Sequence, residues 1–95
     1  MNQFFDRLGT LWSSAAKRRN ATIDAPRIDP SVALELLELA RVAAHTSERR
    51  FAPLSCYMAG MAAERLRVSA AWIDDAAIAD FIQEVRKELE SGIAD

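Results

Sequence analysis

Asp29-Pro30-Ser31-Val32-Ala33-Leu34-Glu35-Leu36-Leu37-Glu38-Leu39-Ala40-Arg41-Val42-Ala43-Ala44-His45-Thr46-Ser47 carries both a start signal and a period. Asp at an N-cap accepts from a backbone N–H of the first helical turn. Pro at the next position lacks a donor that the helix would leave unused. Behind that pair, Val32, Leu36, Leu39 and Ala43 form one apolar row, and Ala33, Leu37, Ala40 and Ala44 form the row beside it. Glu38, Arg41, His45 and Glu48 make a polar stripe of weak i,i+3 and i,i+4 pairs. The spacing predicts a helix over 30–47 with one face in a core.

The sequence on either side reads the same way. Pro53 is expected to open a helix over 53–68. Leu54, Tyr57, Met58, Met61, Arg65 and Val68 fall along one of its sides, and the small residues Cys56, Ala59, Gly60 and Ala63 along another. Small residues at that spacing let a second backbone come close, with Gly60 giving the nearest approach. Met58 and Met61 read as core fillers, because a Met pair without His or Cys beside it is a poor metal site. A further helix is expected over 74–91, capped by Asp74 or Ser69 and ended by Gly92 in a left-handed conformation. Its buried row is Ile78, Phe81, Ile82, Val85 and Leu89, with Trp72 and Ile73 placed to staple its start. Asp74, Asp75 and Asp80 near the start and Arg86 and Lys87 near the end suit the helix dipole.

Toward the N-terminus, Phe4, Phe5, Leu8, Leu11, Trp12, Ala15 and Ala16 form an apolar stripe at helical period over 3–18. Gly9 inside it costs about 1 kcal/mol relative to Ala. Asn20–Asp29 holds Pro26, lacks a period and reads as a linker of about ten residues. The first helix is therefore either a core element or an arm that docks on a partner or a membrane surface. The expected architecture is all-α, a small bundle of about four helices. Residues 1–28 form an amphipathic helix and linker, and 29–95 a three-helix core domain.

Composition agrees with this reading. At 95 residues, 51% hydrophobic and 27% charged, the chain is globular and long enough for one core. Three Gly and three Pro supply few of the tight turns that an all-β fold requires. Charge is uneven: residues 1–28 carry five basic and two acidic side chains, net +3, and residues 29–95 carry net −5. An acidic body argues against nucleic acid as a partner. The trio Lys17-Arg18-Arg19 reads as a solvated helix end, where cations suit the macrodipole. No apolar run is long enough to span a membrane, and residues 1–7 do not look like a secretory signal. With a single thiol, a cytoplasmic location is expected.

The residues that carry chemistry are few. A lone cysteine excludes an internal disulfide, and a lone histidine excludes a two-His metal site in the monomer. Cys56 lies among small apolar residues and reads as an inert thiol. His45 has Glu48 one turn on to hold its ring, but no pocket is implied. Helix capping explains Asp74-Asp75 more simply than a metal does. The three glycines are too far apart for a phosphate loop. No catalytic residue, cofactor or metal is expected, and the chain reads as a non-enzyme.

One stretch is more specific. Leu36-Leu37-Glu38-Leu39-Ala40-Arg41 leads into Ala44-His45-Thr46-Ser47-Glu48-Arg49, then Ala52-Pro53-Leu54, Tyr57, Gly60 and Ala62. This resembles a small actinobacterial helical domain of unknown function, which occurs alone or fused to guanylyltransferases that finish the molybdenum cofactor. About 30 of the 95 residues carry the resemblance, and residues 1–28 and the fourth helix lie outside it. It implies an accessory role near molybdenum enzymes and singles out His45, Glu48, Arg49, Pro53, Tyr57 and Gly60. Structural roles account for them: His45 and Glu48 fasten a turn, Pro53 restarts the helix, and Gly60 sets a close approach.

The expected function is that of an accessory or interaction protein, a small subunit or adaptor of a larger oxidoreductase or molybdenum-cofactor maturation enzyme. Phe4, Phe5, Leu8, Trp12 and Trp72 are the candidate partner contacts, since large aromatic anchors carry much of an interface's energy. Two alternatives come from other classes. One is a ligand-binding bundle with its site between the second and third helices near Tyr57, Met58 and Met61. The other is a homo-oligomeric scaffold that pairs through the Cys56/Ala59/Gly60/Ala63 face.

Overall fold

The computed structural model describes residues 2–92, which form four α-helices and no strand: α1 (Gln3–Lys17), α2 (Pro30–Thr46), α3 (Phe51–Ser69) and α4 (Asp75–Ser91). The protein is all-α, as its periods require. It divides into two compact units, Met1–Pro30 and Ser31–Asp95.

In the first unit, Asn2 caps α1 by accepting from the Phe5 N–H at 3.2 Å. Asn20 ends it with φ 62°, a left-handed conformation that Asn tolerates better than most residues. The Ala21 N–H then reaches the Ala16 carbonyl and the Asn20 N–H the Lys17 carbonyl, closing the helix as a Schellman motif. Arg19, the last of the basic trio, adds a side-chain bond to the Ala15 carbonyl at 3.1 Å at the helix end. The expected linker is non-helical but is more than a tether. It returns along α1, where Ser13 Oγ donates to the Ile23 carbonyl at 3.3 Å and Gly9 is buried beneath Pro26. A Cβ at Gly9 would lie 2.6 Å from the Pro26 carbonyl oxygen, so the glycine that weakens the helix is the one that admits the strap.

The second unit holds the core. Leu39, Ala63, Ile78 and Ile82 are its buried cluster, with Val32, Leu36, Ala59, Leu66, Ile73 and Leu89 packed against it. Val42 and Ala43 are buried as well. The row expected on α2 is thus the row that packs. Asp74 is the α4 cap, accepting from the Ala77 N–H at 2.9 Å, and Gly92 ends the helix at φ 77°. Ser69, the other candidate cap, is instead the last residue of α3. Ile73 provides the staple by packing on the cluster that holds Ile78, while Trp72 turns outward at 83% exposure.

Three expectations for α3 are corrected. The helix opens at Phe51, two residues before Pro53, because Glu48–Ala52 already turns helically: the Phe51 N–H bonds the Glu48 carbonyl and the Ala52 N–H the Arg49 carbonyl. Pro53 sits inside the first turn, where a missing N–H still costs nothing. Gly60 faces open space, with no atom within 4 Å of a Cβ built there, so it sets no close approach. Met58 and Met61 are exposed and fill no core. The core takes the small side of α3 because Leu39, Ile78 and Ile82 already fill the space there.

Candidate functional site

On α1, Phe4 (66% exposed), Leu11 and Trp12 (57%) are the outward residues, while Phe5 and Leu8 are half-buried. The Phe4 and Phe5 rings meet edge to face at 5.1 Å, which holds Phe4 in place while leaving its outer surface to solvent. The expected contact residues of this unit therefore form one partly buried, partly exposed apolar face. Trp72, in the other unit, is the most exposed of the aromatic anchors.

The turn between α2 and α3 does not hold together as expected. His45 and Glu48 are both exposed, and the Glu48 carboxylate accepts from Arg50 at 3.5 Å, not from the histidine. Arg50 also lies over the Phe51 ring at 5.7 Å. Arg49, Pro53, Tyr57 and Gly60 are exposed as well. Pro53, Tyr57 and Gly60 stand at i, i+4 and i+7, so they share one outward line of α3. The side chains of His45, Glu48, Arg49, Pro53 and Tyr57 thus lie at the surface, and the turn is closed by the Glu48 and Arg49 backbone carbonyls.

The small-residue face of α3, named for the self-associating alternative, packs in part on the chain's own core, while Gly60 stays exposed. Ala63 is buried, Ala59 packs on the cluster, and Cys56 is half-buried with its thiol donating to the Leu36 carbonyl at 3.6 Å. Burial pushes the Cys56 pKa up, keeping the sulfur protonated and poorly nucleophilic. Asp75, the neighbour of the capping Asp74, pairs with Arg67 at 2.7 Å. Among the described residues no three His, Cys, Asp or Glu side chains gather in a way that could hold a metal ion.

An apolar cleft of about 250 Å³ opens among α2, α3 and α4. Leu39 forms its floor, Met58, Ala59 and Ala62 one wall, and Phe81 and Val85 the other. Tyr57 and Met61 lie outside it, so of the three residues named for the ligand-binding alternative only Met58 lines this cleft. Beyond Met58, exposed Leu54, Tyr57 and Met61 continue the apolar surface over the ridge of α3. Periodicity had found these residues but not their direction.

Across from the cleft, sequence reading missed a charge network. Glu35 of α2 accepts from Arg86 at 3.0 Å and from Gln83 at 3.1 Å, with the Arg86 and Glu35 side chains only 13% and 18% exposed. Arg86 also meets Glu90, and Arg41 bridges Glu38 and Glu90. The hydrogen bonds that Arg41 donates to Glu38 and to Glu90 raise its pKa above the ordinary value. The partners of Arg86 and Glu35 lie 51 positions apart, so no local pattern announces them.

The sequence matches the family described as Domain of unknown function (DUF6457) over residues 6–94. No curated protein matches, and no solved structure does. The match takes in most of α1, its strap and α4. This corrects the expectation that the first helix, its linker and the fourth helix lie outside the family domain; residues 6–28 and the fourth helix are parts of it.

Proposed function

Since the chain belongs to the DUF6457 family, whose function is unassigned, we propose from its surface that it is a non-catalytic accessory protein that works by binding a larger protein. The observation that carries this reading is the face of α1. Phe4, Leu11 and Trp12 point outward from a helix that is fixed to its own strap at Gly9 and Ser13. Rigid, exposed aromatic anchors beside half-buried Phe5 and Leu8 are what the centre of a protein interface needs. Trp72 supplies a further anchor. No helix among the described residues is long and apolar enough to cross a membrane, which fits a partner met in water.

The partner class we propose is a larger oxidoreductase or a molybdenum-cofactor maturation enzyme, met in the cytoplasm. It rests on the resemblance of the His45–Gly60 run to a domain found beside or fused to such enzymes. The exposure of His45, Arg49, Tyr57 and Gly60 supports an outward use of that run. The test is affinity capture of the tagged chain at native abundance, read by mass spectrometry. Stoichiometric recovery of such an enzyme is expected. Trp12→Ala should weaken its binding roughly thirtyfold, the size of a hot-spot loss, while helicity is kept. Recovery of the chain alone overturns the reading.

A further inference from the structure

We propose that the cleft between α3 and α4 seats an amphipathic α-helix of a partner protein, a helix with basic side chains along one flank and an acidic one along the other. The inference deepens the reading of an interaction protein and rests on it, but uses a different surface from α1. Size is the first argument. At about 250 Å³ the cleft falls below the roughly 300–1,000 Å³ of ordinary small-molecule sites, yet suits a few anchoring side chains. Its walls are helices and no strand edge exists among the described residues, so an added strand would find no backbone to pair with. A helix presenting apolar anchors at i, i+4 and i+7 needs no such edge. Met58 on the wall gives the adaptable contact that helix-binding grooves use.

Charge then specifies the flanks. Away from the cleft, Glu35, Glu38, Arg41, Arg67, Asp75, Arg86 and Glu90 pair within the chain, whereas exposed Arg49, Asp80 and Lys87 form no ion pair among the described residues. The rims differ. Arg65 stands seven residues beyond Met58 on the outer side of α3, and Glu84 and Glu88 stand three beyond Phe81 and Val85 on the outer side of α4. All three are exposed, and none has an ion-pair partner among the described residues. Arg65 therefore puts a positive charge on one rim and Glu84 and Glu88 put negative charge on the other, with apolar surface between them. A helix that enters this cleft meets Arg65 with an acidic side chain and Glu84 and Glu88 with basic ones.

Synthetic helical peptides sharing one leucine row, and differing only in their flanks, test this on the full-length chain by fluorescence anisotropy. The peptide with one acidic and one basic flank is expected to bind about fivefold more tightly than peptides acidic or basic on both flanks, from rim pairs of ordinary exposed strength. Arg65→Glu should move the preference to the peptide basic on both flanks. Met58→Asp, at an exposed position, should abolish binding with the circular dichroism spectrum unchanged. Equal binding of all the peptides, binding of none, or indifference to Met58→Asp overturns the proposal. Peptide binding without capture of any enzyme through Trp12 would instead sink only the partner class proposed above.

Discussion

α3 and α4 lie in the same unit and spend their apolar residues in opposite ways. α4 puts most of its large side chains inward: Ile78 and Ile82 are buried and Phe81 and Leu89 half-buried, although Val85, expected in the same buried row, is exposed. α3 puts its alanines inward and keeps Leu54, Tyr57, Met58 and Val68 outside. Both patterns are helical and apolar, yet one makes a core and the other makes a surface. A helix whose large apolar residues are not needed by its own core is one whose surface is available to something else.

The sharpest way to break this contrast is to truncate one residue from each helix. Ile78, 1% exposed, should cost about 2–5 kcal/mol in urea unfolding as Ile78→Ala, through lost transfer energy and a cavity. Met58→Ala should stay within about 0.5 kcal/mol, as surface changes do. Comparable losses at both sites would mean that α3 is packed as α4 is.

The two helical glycines sharpen the contrast next. Gly→Ala in a helix interior normally stabilises by about 0.5–1 kcal/mol. Gly60→Ala should show that gain, because its side is open. Gly9→Ala should reverse the sign and cost about 1–3 kcal/mol, because the new methyl meets backbone at Pro26. Hydrogen exchange should then show the 20–29 segment losing protection; a gain at both positions would mean that the strap yields freely. The smallest effect expected is chemical. With the Cys56 pKa raised by burial, its thiolate fraction near pH 8 is below that of a free thiol. Alkylation by iodoacetamide should be slower in the folded chain than in urea, with the gap narrowing as pH rises past the ordinary thiol value. Equal rates at pH 8 would mean that the small face of α3 is open to solvent.

These differences also show what a sequence makes legible. α2 and α4 could be read because period and caps act locally: Asp74, Gly92 and the Val32–Ala43 row each need only neighbours within a few residues. α3 could be read as a helix but not oriented. It is apolar on two sides, and the choice between them is made by Leu39, Ile78 and Ile82, far away in the chain. Gly9 was visible only as a cost, since its reason is a contact with an aperiodic segment. The same holds for the cleft, whose walls come from three helices, and for Glu35 with Arg86. Of the candidate contacts, Phe4, Trp12 and Trp72 stood out as aromatics, whereas the groove residues Phe81 and Val85 looked like any core row.

Sedimentation of a fluorescently labelled full-length chain, added in trace amount to lysate of the source cells, tests most directly whether these outward faces serve a partner. The account predicts a boundary well heavier than the 10.5 kDa chain, returned to the free position by Trp12→Ala combined with Met58→Asp. A wild-type chain that sediments as free protein, indistinguishable from the double variant, would contradict it.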